Sequence, residues 1–242
     1  MTPPSGQQPV VAQVAQVAQV ASSGARRLAA MASRSAIFAL AASASSPLRR
    51  PPGGHASTVN AYDGAMHERI RSARTEGLEP EDLAEIKALL DTAFAGRWDE
   101  HDWQHCLGGD HLLWVEGGRL VGQAAVVPRI LRTGGRSWRT GYVEAVAVSP
   151  NAQGRGVGRE LMLAAHEVIA AGYELGGLCA GERAARLYTR LGWRRWAGPT
   201  LVDSPQGTVA TPEEDGNVYV LPPAEIDLSL PIACDWRDGD VW

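Results

Sequence analysis

The feature that most constrains this chain is the junction at residues 144–158. An apolar run, Val146-Ala147-Val148, breaks at Ser149-Pro150 and enters a turn holding Gly154, Gly156 and Gly158. The run reads as a strand, and the turn opens a helix. A helix start offers unpaired N–H groups and a partial positive charge. Glycines let an anion approach that backbone closely. Arg155 can add a charge-assisted contact. Together these features suit a pyrophosphate cradled by Gln153, Gly154, Arg155, Gly156, Val157 and Gly158. The spacing lacks the Gly-Lys-Ser/Thr end of a Walker loop, and no opening βαβ unit marks a dinucleotide fingerprint. The competing reading is a glycine-rich helix start with no ligand. Three glycines in five residues cost backbone entropy without a structural need, which favours the ligand.

The neighbouring pattern places this junction in a mixed α/β order. Residues 80–94 read as a helix, with Pro80 in the first turn and Glu81 and Asp82 near its positive end. Leu83, Ile86, Leu90 and Phe94 share one face, and Gly96 can stop the helix. Residues 112–116, 120–128 and 142–148 are strand-like, with turns at Gly117-Gly118 and Thr133-Gly134-Gly135. A helix over about 156–171, a short strand at 178–179, a helix over 182–191 and a strand over 218–221 come next. This order predicts one mixed, mostly antiparallel sheet flanked by helices, an α/β (α+β) class.

Residues 1–65 read differently. Positions 10–21 carry a Val-Ala-Gln repeat of period three, which on a helix spirals the valines around the axis instead of forming a face. Ala, Ser, Arg and Pro dominate the stretch after the repeat, as in a disordered segment or linker. Two other readings stay open: a targeting segment, from Arg26-Arg27 and Ala42-Ser43-Ala44, and a translation start at Met66. The expected domain is therefore 66–242.

Charge shows the same division. Five of the 23 basic residues and none of the 27 acidic ones lie in residues 1–62, so the net −4 becomes −9 over residues 63–242. An acidic body argues against nucleic acid and for cationic ligands. No apolar run is long enough to span a bilayer. Cys106, Cys179 and Cys234 form neither a disulfide framework nor a zinc pattern, which points to a reducing cytoplasm and no metal.

Gln153-x-x-Gly156-x-Gly158 resembles the acetyl-CoA signature of the GCN5-related N-acetyltransferases (GNATs). A closer resemblance, to the aminoglycoside 2′-N-acetyltransferases, rests on Ala93-Phe94-Ala95-Gly96, Asp102-Trp103, Leu107-Gly108-Gly109, Gly141-Tyr142-Val143-Glu144, Ala185-Arg186-Leu187-Tyr188, Gly198-Pro199-Thr200 and the run Cys234-Asp235-Trp236-Arg237-Asp238-Gly239-Asp240-Val241-Trp242. It covers nearly all of residues 66–242. It implies the GNAT fold, acetyl-CoA as co-substrate and a cationic aminoglycoside or amino sugar as acceptor. It also implies antibiotic resistance as outcome and a homodimer. Val146, Ala147 and Val148 would pair with the pantetheine arm.

Acetyl transfer needs a neutral amine, so a base must take a proton from the ammonium, directly or through water. Glu144 is assigned that role and Tyr188 the protonation of the leaving thiolate. A backbone N–H near Ala145 or Val146 would stabilise the tetrahedral intermediate. A polycation needs carboxylates: Asp102, Glu144, Glu213, Glu214, Asp215, Asp240 and the end of Trp242 are candidates, with Ala145 beside them. Taken alone, Glu213 and Glu214 read as a solvated loop, Tyr188 as a packed aromatic, and Asp240 as part of a frayed tail. Three positions depart from the family. Arg97 replaces an acidic substrate contact, Cys179 a small hydroxyl residue, and Glu214 an Asp. Two competing functions remain: a GNAT enzyme acting on another amine (a cell-wall precursor, polyamine or protein amine), and a non-catalytic acetyl-CoA sensor.

Overall fold

A computed structural model describes residues 70–223 and 225–242. The extension 1–65 and a start at Met66 lie outside the described residues. The elements in order are β1 (Ile70–Arg74), α1 (Pro80–Phe94), α2 (Glu100–His105), β2 (Asp110–Glu116), β3 (Arg119–Thr133), β4 (Arg136–Val148), α3 (Val157–Gly172), β5 (Leu175–Cys179), α4 (Glu182–Arg190), β6 (Arg194–Arg195), β7 (Thr200–Ser204), β8 (Gly207–Ala210), β9 (Val218–Leu221) and β10 (Ile232–Asp235). All ten strands form one sheet. Every pairing is antiparallel except β4 with β5 and β7 with β10. The expected mixed, mostly antiparallel sheet is therefore present. No helix among the described residues is long and apolar enough to cross a membrane.

Both faces of the sheet are covered, and residue parity shows how. On β3, Ala125 and Val127 enter the core shared with Ile86 and Leu90 of α1, whereas Ala124 and Val126 enter the core shared with Leu161 and Ile169 of α3. Successive strand side chains point to opposite faces, so a strand buried on both sides reads as a continuous apolar run. That is why residues 124–127 show no alternation. Gly122 brings α3 close: a Cβ there would sit 2.7 Å from Val157 Cγ1.

β4 changes parity in mid-strand. Tyr142 faces the α1 side and Val143 the α3 side, yet further on Ala147 faces the α1 side and Val146 and Val148 the α3 side. The cause is an extra residue in β4: between the pairs Ala125–Glu144 and Gln123–Ala147, β3 advances two residues and β4 three. Ala145 absorbs it with φ of 49°, a left-handed conformation costing about 1–2 kcal/mol for a residue with a Cβ. Buried Gln123 supports the bulge, its Nε2 donating to the Ala145 carbonyl at 2.8 Å. The bulge thereby separates Glu144 from Val146. Without it, the two would share a face.

Several elements had little local signal. Expected strands 112–116, 120–128 and 142–148 extend to β2, β3 and β4, and β5 begins three residues before the expected 178. β1, α2, β6, β7, β8 and β10 are additional. α2 has only six residues and is fixed by a capping box between Asp99 and Asp102.

Candidate active site

β4 and β5 pair only where Thr140, Gly141 and Tyr142 meet Leu175, Gly176 and Gly177. Beyond them β5 pairs with β9, while β4 runs on to Val148, leaving a wedge between the two strands. Val146, Ala147 and Val148 form the β4 edge of that wedge. The trans peptide linking Ala145 to Val146 turns its carbonyl to Gln123, so its N–H points away from β3.

The glycine-rich turn closes one end of the wedge. Gly154 and Gly156 have φ of 75° and 89°, which glycine alone adopts readily. Gly156 is the N-cap of α3, and the first helical bond runs from the Glu160 N–H to its carbonyl. The N–H groups of Val157, Gly158 and Arg159 precede that bond and have no intrahelical acceptor. A Cβ on Gly156 would meet no atom within 4 Å, so nothing packs against the turn at that point. The cradle thus fits a pyrophosphate. Gln153 braces the turn, its Nε2 donating to the Val148 carbonyl at 3.1 Å. Arg155 is engaged elsewhere: its Nη2 lies 2.9 Å from both carboxylate oxygens of Glu116. The donors at the helix start are backbone N–H groups, while the Arg155 side chain pairs with Glu116.

A cleft opens from the wedge, with Glu144 on its floor. Desolvation pushes its carboxyl upward, and Arg237 pulls it back. Arg237 Nη1 donates to Glu144 Oε1 at 2.5 Å, Nε to the Asp240 carbonyl at 2.9 Å and Nη2 to the Trp242 carbonyl at 2.9 Å. Arg237 was absent from the expected site. Its only sequence signal is its place in the run 234–242, among Asp235, Asp238 and Asp240.

The tail does not fray. Val241 and Trp242 are buried, and the Trp242 indole donates to Thr211 Oγ1 at 2.9 Å. Asp240 lines the cleft, and burial, with Glu214 adding to it, raises its carboxyl to about 7. Glu214 is buried too, accepting from Cys179 Sγ at 3.2 Å and from Asn217 Nδ2 at 3.4 Å. Burial, then the Glu214 charge, pushes the Cys179 thiol well up, so it is no nucleophile. Glu213 is exposed, and of the two acids in the 3-10 turn Pro212–Glu214 only Glu214 is buried.

Asp102 lines the cleft, but its Oδ2 accepts from the Asp99 N–H at 2.9 Å, so it also caps α2. Desolvation raises its carboxyl. Arg97 is exposed at the cleft mouth, with Nε donating to the Phe94 carbonyl at 3.2 Å. His105 was also unexpected; its Nε2 lies 2.7 Å from the Asp238 carbonyl, and burial beside Arg237 lowers its pKa to about 4. Ala145, Val146, Cys179, Tyr188 and Trp242 complete the meeting of wedge and cleft. Tyr188 is 1% exposed, with its ring 6.0 Å from Tyr219 and 6.2 Å from Trp193. Burial holds its hydroxyl far above the usual range, hence protonated at neutral pH. Among the described residues, no group of His, Cys, Asp and Glu side chains could hold a metal ion.

A splayed β4–β5 wedge with backbone donors at one end, meeting a cleft lined by both Glu144 and Tyr188, is the arrangement an acyl-transferring enzyme needs. Comparison with known proteins agrees: the acetyltransferase (GNAT) domain model matches residues 74–196, so the chain belongs to the GNAT family and is an acetyltransferase. Members of this family generally use acetyl-CoA. An aminoglycoside 2′-N-acetyltransferase from Mycolicibacterium fortuitum is 40% identical over 184 residues, covering 74% of this chain and 94% of that protein. Among solved structures, Eis1 from Mycobacterium abscessus is 23% identical, with a TM-score of 0.46 over 55% of this chain and 33% of that one. A GCN5-related N-acetyltransferase from Kribbella flavida is also 23% identical, with a TM-score of 0.45 over 54% of this chain and 34% of that one. This chain thus spans about a third of the length of those two structures.

Proposed function

We propose that this enzyme transfers the acetyl group of acetyl-CoA to the 2′-amine of an aminoglycoside or a similar amino sugar, with Glu144 as base and Tyr188 as acid. The observation that carries the reading is the cleft itself. Glu144, Asp102 and Asp240 line it where it meets the wedge, and Glu214 lies behind Cys179. Four carboxylates against two cations, Arg237 and Arg97, suit a ligand with several ammonium groups. The name of the 40% identical relative supports the same choice. The domain would span residues 66–242, and its free thiols fit a reducing compartment. A homodimer belongs to the same reading.

The chemistry is a direct transfer. Glu144, through a water, takes a proton from the ammonium. The free amine forms a bond to the thioester carbonyl carbon, and the Val146 N–H would donate to the oxyanion. The C–S bond then breaks, and Tyr188 protonates the departing thiolate. On becoming an amide the nitrogen also gives up its second proton, so of the two protons the ammonium loses, one restores Tyr188 through solvent and the other is released. Cys179 forms no acyl intermediate, because its thiol stays protonated beside Glu214.

The test is acetyl-CoA turnover with paired aminoglycosides carrying 2′-amino or 2′-hydroxy groups. Turnover of the 2′-amino members alone is the expected result. Equal rates on both sets would sink the regiochemistry. Acetyl-CoA binding with no turnover of any amine would favour a sensor, and turnover confined to polyamines or peptides another GNAT function.

A further inference from the structure

We propose that Arg237 is a positioning residue for the transfer, one guanidinium that both aims the Glu144 carboxylate and clamps the substrate-facing tail. This rests on the reading of Glu144 as base. Arg237 uses all three of its nitrogens within the site: Nη1 on Glu144 Oε1, Nε on the Asp240 carbonyl and Nη2 on the Trp242 carbonyl. Its side chain is 14% exposed and that of Glu144 17%, so the pair is shielded from solvent screening. A planar guanidinium makes three such bonds at fixed angles, which a lysine cannot copy.

The geometry assigns each carboxylate oxygen a different duty. Oε1 is held by Arg237, and on this reading Oε2 is the oxygen that accepts the proton. The opposing influences on Glu144 come from several elements. Arg129 on β3 joins Arg237 in favouring the ionised form, whereas Asp102 on α2 disfavours it. Buried Cys106 and Tyr142 also lie within the field of Glu144, as do Cys179 and, from the tail, Asp240. Among these, Arg237 alone is in direct contact with the Glu144 carboxylate in the hydrogen bonds of this site. Without it, a desolvated carboxylate among other acids would hold its proton and cease to act as a base near neutrality. The same loss would free the carbonyls of Asp240 and Trp242, and with them the Asp240 side chain that faces the substrate.

The coupling has a signature that simple misfolding lacks. kcat, KM and their pH dependence are measured for the full chain and for E144Q, R237Q and R237K, with acetyl-CoA and a 2′-amino aminoglycoside. Folding is checked by near-ultraviolet circular dichroism. E144Q should remove one component of the acid limb of kcat/KM. R237Q should move that component up by about 1–3 pH units, as expected for loss of an adjacent opposite charge. R237K keeps the charge, so the limb should stay within about half a unit of its original place, while KM rises about tenfold as the tail loosens. An unmoved limb in a folded R237Q would overturn the proposal while leaving Glu144 as base. A limb that persists in full in E144Q would overturn both readings. If R237Q fails to fold, an unchanged KM in R237K overturns the clamp and with it the proposal.

Discussion

Asp240 shows how the site departs from the ordinary behaviour of its residues. An exposed Asp ionises near 4 in any chain; here burial and the Glu214 charge carry it to about 7, against the pull of the Trp242 N–H and Arg237. The folded protein therefore binds this proton more tightly than the unfolded chain. Stability should fall as pH rises from about 4 to about 7 and level off above, the slope having the sign of the difference in bound protons. D240N mimics the neutral form, so it should match the parent near pH 4 and exceed it by about 1 kcal/mol or more at pH 8. Urea titrations at both pH values check this, and equal gaps at the two would remove the proposed shift. The variant should bind a polycation more weakly, since the stored strain is what the ligand relieves. Glu144, Tyr188 and Asp240 were legible because the family motifs carry them. Arg237 and His105 were not, because each enters the cleft through partners distant in sequence, Glu144 for Arg237 and the Asp238 carbonyl for His105. Glu213 and Glu214 look alike in sequence, and only the fold buries one and exposes the other.

At the scale of elements, the glycines of the turn have different duties that spacing alone does not separate. Gly156 has φ of 89°, with open space around a built Cβ, so its requirement is backbone conformation. Gly158 lies inside α3, and a Cβ there would make ordinary contacts, 3.7 Å from Val148 Cγ2 and 3.9 Å from Leu187 Cδ2. G156A should cost about 1–2 kcal/mol and weaken acetyl-CoA binding. G158A should instead stabilise by about 0.5–1 kcal/mol, as Gly to Ala does in a helix. Thermal melts with and without acetyl-CoA distinguish the two, and equal destabilisation would contradict the assignment. α1 and α3 were legible from period and caps, since their signals are local. β7, β8 and β10 were not: Thr200–Ser204 and Gly207–Ala210 have few apolar residues and form strands through pairing with each other and with β10. The bulge at Ala145 was equally hidden, because Gln123, its buried support, stands 22 positions away.

Across the whole molecule, the tail joins parts of the chain that are far apart in sequence. After β10 it passes α2 so closely that a Cβ on Gly239 would lie 2.5 Å from His101 Cβ. It then buries Val241 beside the Cys234 thiol and sets Trp242 against Thr211. Trp242 is 3% exposed, so W242A should cost about 3–5 kcal/mol in urea unfolding and raise KM for the amine. A loss below 1 kcal/mol would mean that the tail is dispensable to the core. The glycine-rich turn, the two principal helices and the main strands come from the sequence by itself, because each depends on residues within a few positions of one another. Only the tertiary structure decided that β4 and β5 part beyond Tyr142, that a bulge turns Glu144 and Val146 to opposite faces, and that Arg237 returns from the tail to hold Glu144. Those three depend on pairings across 22 to 93 positions, and no local pattern encodes which distant partner will be near.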